Sequence, residues 1–314
     1  MSRRKILIDC DPGHDDAVAI LFAARHLDVV GITTVHGNNA LAHTTRNALA
    51  ILELAGLDVP LAKGCCEPLA QPRVGAAAVH GHTGLDGARL PEPKRRPIDA
   101  HAVEFIIDMA KRHRGELTLA TIGPQTNVAL ALKVAPGLRD WLAEITVMGG
   151  STDAGNVTAA AEFNIFCDPE AAWAVFNSGI AIRMVGLNVT RRTGFCQEDI
   201  ARLRASGRKV AGVIADLLAF YLERQREHRE LSIAPMHDVC AIASYVDASL
   251  IDYRDARVDI ELKGSLTRGM TVCDFSPAAR AGVENRARPN AKVAVDAKSR
   301  PLIDRVTETL LAYA

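Results

Sequence analysis

The chain has 314 residues, with Lys+Arg and Asp+Glu balanced at 37 each, so its formal charge is zero. That length can bury a large core, and the neutral balance supplies no global field to draw nucleic acid or an anionic membrane surface. Seven cysteines, at 10, 65, 66, 167, 196, 240 and 273, are odd in number and contain no CxxC pair, which argues against a disulfide framework or a zinc ribbon.

The N-terminal Met1-Ser2-Arg3-Arg4-Lys5 is basic, but the apolar run behind it stops at Asp9. This is too short for the core of a signal peptide, and no later segment is long and apolar enough to span a bilayer, so a cytoplasmic protein is expected. Ile6-Leu7-Ile8 reads as a buried strand, Pro12-Gly13 breaks it, and a helix begins through Ala17-Val18-Ala19-Ile20-Leu21-Phe22. Val29 to Val35 is a second strand, followed by a helix from Thr44 to Leu54. Leu117–Ile122 and Glu144–Met148 are further strands, with a helix from Asn127 to Val134 between them. Ala171–Phe176 is helical and Ile180–Val185 returns to the sheet. Gln197 to His228 reads as mostly helical, Pro235 interrupts, and a new helix starts around His237. Such alternation predicts an α/β fold: an open, mostly parallel, twisted sheet with helices on both faces, Rossmann-like. No repeat or low-complexity linker divides it, so residues 1–314 are expected to form one domain.

The chemistry concentrates in Asp9-Cys10-Asp11-Pro12-Gly13-His14-Asp15-Asp16, four carboxylates within eight residues. They fall at a strand's carboxyl end and a helix's first turn, where open α/β sheets bind ligands. Capping of the helix explains Asp15 or Asp16, but not Asp9 and Asp11 as well. So many like charges require neutralisation, and a hard divalent cation, Ca²⁺ or Mg²⁺, does this through oxygen ligands. Cys10 sits amid the acids, where a thiolate is disfavoured, and is not read as a nucleophile.

Other strand ends are also polar: His36-Gly37-Asn38-Asn39, Gly123-Pro124-Gln125-Thr126-Asn127 and Gly149-Gly150, with a loop His80–Gly87. Together they outline a pocket at one sheet edge. Asn156, Glu162 and Asn164 both donate and accept, as sugar hydroxyls demand, although each Asn is equally a turn former. On spacing alone, His237-Asp238 reads first as a helix cap and an ordinary helix residue.

Taken in order, the Asp9–Asp16 segment, Glu162-Phe163-Asn164 and His237-Asp238 resemble the inosine–uridine type nucleoside hydrolases, and the similarity runs from about Lys5 into the C-terminal helix. The resemblance implies a tightly held Ca²⁺ and hydrolysis of the N-glycosidic bond of ribonucleosides to base and ribose. It assigns Asp11, Asp16 and Asp238, with the backbone carbonyl of Ile122, as Ca²⁺ ligands. Asp11 doubles as the base that deprotonates the attacking water. Asp15, Asn38, Asn156, Glu162 and Asn164 correspond to ribose-binding positions, Met148 lines the sugar, and His80 corresponds to a base-site histidine. His237 resembles the acid that protonates the leaving base. Members of the family are commonly homodimers or homotetramers; no nucleic acid or membrane partner is expected.

Val239 stands where proline is common after Asp238, and Gln225–Leu231, expected near the base, matches no known base-specific pattern. A histidine at 237 is more like pyrimidine-preferring or broad-specificity members, which points to uridine and cytidine. Two alternatives are a haloacid-dehalogenase-like phosphatase, because Asp9-Cys10-Asp11 mimics its acid pair, and a non-catalytic nucleoside-binding protein. The first expects Thr or Val at position 13, where this chain has Gly; the second expects a lost ligand or base, yet Asp11, Asp16 and Asp238 all remain.

Overall fold

In the computed structural model, which describes residues 3–276 and 288–314, the apolar runs of the sequence form one nine-stranded sheet. Its strands are β1 (Lys5–Cys10), β2 (Asp28–Thr34), β3 (Leu61–Lys63), β4 (Leu117–Thr121), β5 (Leu142–Met148) and β6 (Ile182–Val185), then β9 (Ile251–Ile260), β10 (Thr271–Asp274) and β11 (Ala291–Ala297). Between them in the chain, β7 (Gly194–Phe195) and β8 (Ala234–Pro235) make a separate antiparallel pair. The order across the sheet is β10-β9-β11-β6-β5-β4-β1-β2-β3. β9 runs antiparallel to β10 and β11, and the remaining neighbours are parallel. The α/β architecture is therefore the one expected, with an antiparallel edge that the sequence reading did not include.

β1 lies between β2 and β4, with the chain winding one way from β1 to β3 and the other way from β4 to β6. A crevice opens outside the carboxyl ends of strands where the winding reverses. Asp11 follows β1 and Ile122 follows β4, so both stand at that crevice.

Alternation along β1 sends its apolar residues to both faces. Ile6 and Ile8 pack in a core with Ile20, Leu218, Ile242 and Val306, from the helices His14–His26, Lys209–Arg229, His237–Val246 and Ser299–Leu311. Leu7 packs on the other side with Ile106, Val128 and Val175, from the helices Ala102–Arg112, Thr126–Val134 and Pro169–Phe176. The helical reading of 197–228 resolves into two helices, Gln197–Ala205 and Lys209–Arg229. Gly207, at φ +66°, turns the chain between them. No described helix is long and apolar enough to cross a membrane.

Candidate active site

The first helix begins at His14, three residues before its apolar run, because Asp16 accepts the Gly13 N–H at 2.9 Å and caps the turn. Capping does not exhaust Asp16. The Asn38 side chain, carried on the loop after β2, donates from Nδ2 to the Asp11 carbonyl at 3.1 Å and to Asp16 Oδ2 at 3.3 Å. Its backbone N–H donates to Asp11 Oδ2 at 2.6 Å. Two glycines close around Asp11: a Cβ on Gly37 would lie 2.0 Å from Oδ2, and one on Gly123 would lie 2.5 Å from Oδ1.

Across this corner comes Asp238, from the first turn of His237–Val246. Carboxylate oxygens of Asp15, Asp16 and Asp238 lie within 4.8 Å of one another. Asp11 stands beside this trio, joined to it through Asn38, whereas Asp15, expected on the sugar, belongs to it. Burial, then the charge of Asp16, pushes the Asp15 carboxyl up to about 7. Burial pushes Asp16 up to about 6. Asp11 and Asp238 rise well above the usual carboxylate range, through burial first and neighbouring acids second. Asp9 is separate: it accepts from Thr33 Oγ1 at 2.6 Å and Asn127 Nδ2 at 2.7 Å, and burial lifts it to about 7. It is a structural acid walled in by β2 and the helix Thr126–Val134, and so is not placed as a phosphatase nucleophile would be.

The acidic corner fits a cation. Asp11 Oδ1 and Asp16 Oδ1 are buried and lack a hydrogen-bond partner among the described residues, a costly arrangement unless a positive charge meets them. Every donor there is an oxygen, the ligand type of hard divalent ions.

Next to the acids, Asn164 Nδ2 donates to the carbonyl of Ile122 at 2.9 Å and to that of Met148 at 3.1 Å, tying together the ends of β4 and β5. Glu162 caps the short helix Phe163–Cys167, accepting from the N–H groups of Asn164 and Ile165 at 3.0 and 3.1 Å, and from Gly150 at 3.0 Å. Burial raises its carboxyl, while those bonds pull the other way. Asn156 Oδ1 accepts the Phe163 N–H at 2.9 Å. The turn-forming and the sugar-facing readings of these residues therefore coexist, because Asn156, Glu162 and Asn164 also line the cavity.

That cavity is bounded by Asp15, Asn38, His80, Ile122, Met148 and Asp238 among others. Tyr221, Gln225, Arg229 and His237 also line it. His80 Nδ1 is 3.0 Å from His14 Nδ1 and its ring stacks on Tyr221. His14 in turn donates from Nε2 to the Asp86 carbonyl at 2.8 Å, since a carbonyl can only accept. Burial drives the His14 imidazole down to about 4 and His80 lower than its ordinary range. His237 Nδ1 is 2.6 Å from Thr190 Oγ1. Burial, then Arg229 and Arg191, hold His237 down to about 3, so it enters the reaction neutral.

Sequence reasoning missed Thr190 and His14 as supports, and Tyr221, Gln225 and Arg229 individually. The last three recur every fourth residue, the spacing of one helix face, and that was the available signal. The cysteines are all free, and burial followed by the nearby acids raises Cys10 far from thiolate chemistry.

A buried acidic corner at the sheet's switch point, beside an amide-lined cavity, has the donor set of a hard-cation site next to a pocket for a small polar ligand. The family model of inosine-uridine preferring nucleoside hydrolases matches residues 6–304. The chain is 42% identical over 313 residues to the pyrimidine-specific ribonucleoside hydrolase RihA of Escherichia coli, covering 98% of this chain and 99% of that protein. Among solved structures it is similar to a plant nucleoside hydrolase (TM-score 0.93, 33% identity) and to the purine-preferring ribonucleoside hydrolase of Gardnerella vaginalis (TM-score 0.92, 31% identity), each over 99% of both chains. The chain belongs to the inosine-uridine preferring nucleoside hydrolase family, and is thus an N-glycosyl hydrolase of ribonucleosides.

Proposed function

We propose that this single-domain chain is a Ca²⁺-dependent hydrolase that prefers uridine and cytidine and acts as a cytoplasmic homo-oligomer. The observation that carries the chemistry is the buried trio Asp15, Asp16 and Asp238, with Asp11 tied to it through Asn38, beside a cavity lined by Asp15, Asp238, Asn156, Glu162 and Asn164. Base preference is supported by the 42% identity to a pyrimidine-specific relative. The shape alone supports neither base, since a purine-preferring relative has nearly the same fold.

Asp11, Asp16, Asp238 and the Ile122 carbonyl would hold the cation, with Asp15 beside it. When bound, Ca²⁺ supplies positive charge that grips vicinal ribose hydroxyls and makes a nearby water more acidic. Asp11 accepts the proton of that water through Oδ1, the oxygen left free by Asn38 and the glycines. Asp15, Asn38, Asn156, Glu162 and Asn164 orient the ribose, and the carboxylates favour the positive charge that develops on it. Met148 packs beneath the sugar and His80 meets the base. With the Thr190 hydroxyl donating to Nδ1, neutral His237 carries its hydrogen on Nε2 and donates a hydrogen bond from it to the departing base. Attack from the side opposite the base inverts the anomeric carbon.

The test is a ribonucleoside panel read for free base and ribose. Uridine and cytidine are expected to outpace inosine and adenosine; a panel in which purines lead would overturn the preference, and no base release at all would overturn the activity.

A further inference from the structure

The long helix Lys209–Arg229 ends in a cluster of cations, and most of them are matched by acids. Arg224 pairs with Glu227 at 2.6 Å and Arg226 with Glu223 at 3.7 Å. Arg229 differs. It is half-buried and has neither a hydrogen bond nor an ion pair among the described residues. It lies eight residues beyond Tyr221 and four beyond Gln225, on the face turned to the cavity, and all three line it. Arg229 also borders the outward continuation of the cavity with Asn156, Leu231 and His237. Helix C-termini attract cations, but that attraction does not explain why this one lines the cavity without an ion pair, with its charge acting on His80, His237 and the buried Glu162.

The cavity wall therefore carries a permanent cation as well as the acids. The acids favour the ribosyl group as it becomes positive, and the unpaired cation is free to meet the base as it becomes negative. We propose that Arg229 contacts the leaving base and stabilises its developing negative charge, selecting bases that place that charge on ring carbonyl oxygens. This rests on the hydrolase reading and extends it to how the base departs. Guanidinium has five N–H donors and no acceptor. Uracil, leaving as an anion, spreads charge onto two carbonyl oxygens that accept from it. Cytosine turns an amino group to one of those places and loses that bond. The C1′–N1 bond breaks with its electron pair going to the base, and water's oxygen closes on C1′. His237 donates a hydrogen bond to the base as the charge develops, and the proton reaches the departed base from solvent. Gln225, buried with Oε1 lacking a partner among the described residues, is the neighbouring group that can accept an N–H of the base.

The experiment compares wild type, Arg229→Gln and Arg229→Lys on uridine, cytidine and a nitrophenyl riboside, whose phenolate departs without help. Removing a preorganised donor to a developing anion costs on the order of 10²–10³ in rate. Arg229→Gln is expected to lose about that factor on uridine, less on cytidine and a few-fold on the nitrophenyl riboside. Arg229→Lys, which keeps the charge, should recover part of the loss. A loss equal on all three substrates, or no loss on uridine, overturns the assignment. Melting temperatures of the variants verify folding, and the absent pairing of Arg229 predicts little change. A wild type that cleaves uridine beside an unaffected Arg229→Gln defeats this inference alone, whereas a wild type inactive on every ribonucleoside defeats the hydrolase reading too.

Discussion

Replacing Asp238 by Asn should move stability and activity in opposite directions. The carboxylate oxygens of Asp15, Asp16 and Asp238 lie within 4.8 Å of one another. At an effective dielectric of about 20, each ionised pair at that distance repels by about 3 kcal/mol or more. The metal-free protein escapes by holding protons: Asp15 titrates at about 7 and Asp16 at about 6, against an ordinary value of 3.8. Each unit between solution pH and an ordinary carboxyl pKa costs about 1.4 kcal/mol to keep the group protonated. These folded-state values are raised, so the stability they contribute is present below about pH 4 and is lost as pH rises through 6 to 7. The metal-free wild type should therefore melt lower at pH 8 than at pH 5, and saturating Ca²⁺ should flatten that slope. In Asp238→Asn one charge is gone, so a few kcal/mol of repulsion disappears at pH 8. Its metal-free melting temperature should rise by about 5 °C or more, while Ca²⁺ affinity and turnover fall at least about tenfold. The assay is thermal melting with and without Ca²⁺ at both pH values. A metal-free variant that melts at or below wild type, or one that binds Ca²⁺ normally, would refute the argument.

Asp11→Ala should lower kcat by about 10²–10⁴, the usual contribution of a positioned base; near-normal turnover would remove Asp11 from that role. Gly37→Ala places a methyl 2.0 Å from Asp11 Oδ2, so activity should collapse while far-ultraviolet circular dichroism stays native, and an active variant would show that Asp11 tolerates displacement. Groups that grip a ribose hydroxyl are left unpaired by deoxyribose, which costs on the order of 10⁴ in favourable cases. Uridine should therefore exceed 2′-deoxyuridine by a large factor in kcat/KM, and comparable values would count against the proposed roles of Asp15 and Asn164. His237→Ala should slow uridine far more than a nitrophenyl riboside; equal slowing would reduce His237 to a support for Asp238.

Strands with dense branched residues were legible because burial on both faces leaves an unbroken apolar run, as in Ile6-Leu7-Ile8. The helix Ala102–Arg112 and the strands β9, β10 and β11 were not read. β9 alternates charged and apolar residues at the sheet margin, and its pairing with β11 spans a long separation that no local pattern announces. At the site, the acid cluster gave its position through residue type and spacing alone. What it could not give was the division of labour. Asp9 turns to Thr33 and Asn127 while Asp15 joins Asp238, and this depends on which way a side chain leaves the end of β1. Arg229 looked like any cation of a basic helix end, and only the pairing of Arg224 and Arg226 with acids set it apart.

The most direct measurement is base release from uridine by protein stripped of metal and then titrated with Ca²⁺. The account predicts no turnover beyond background in the stripped protein, recovery that saturates with Ca²⁺, and uridine ahead of inosine at saturation. Full turnover in rigorously metal-free protein, or saturation with Ca²⁺ that restores nothing, would contradict it.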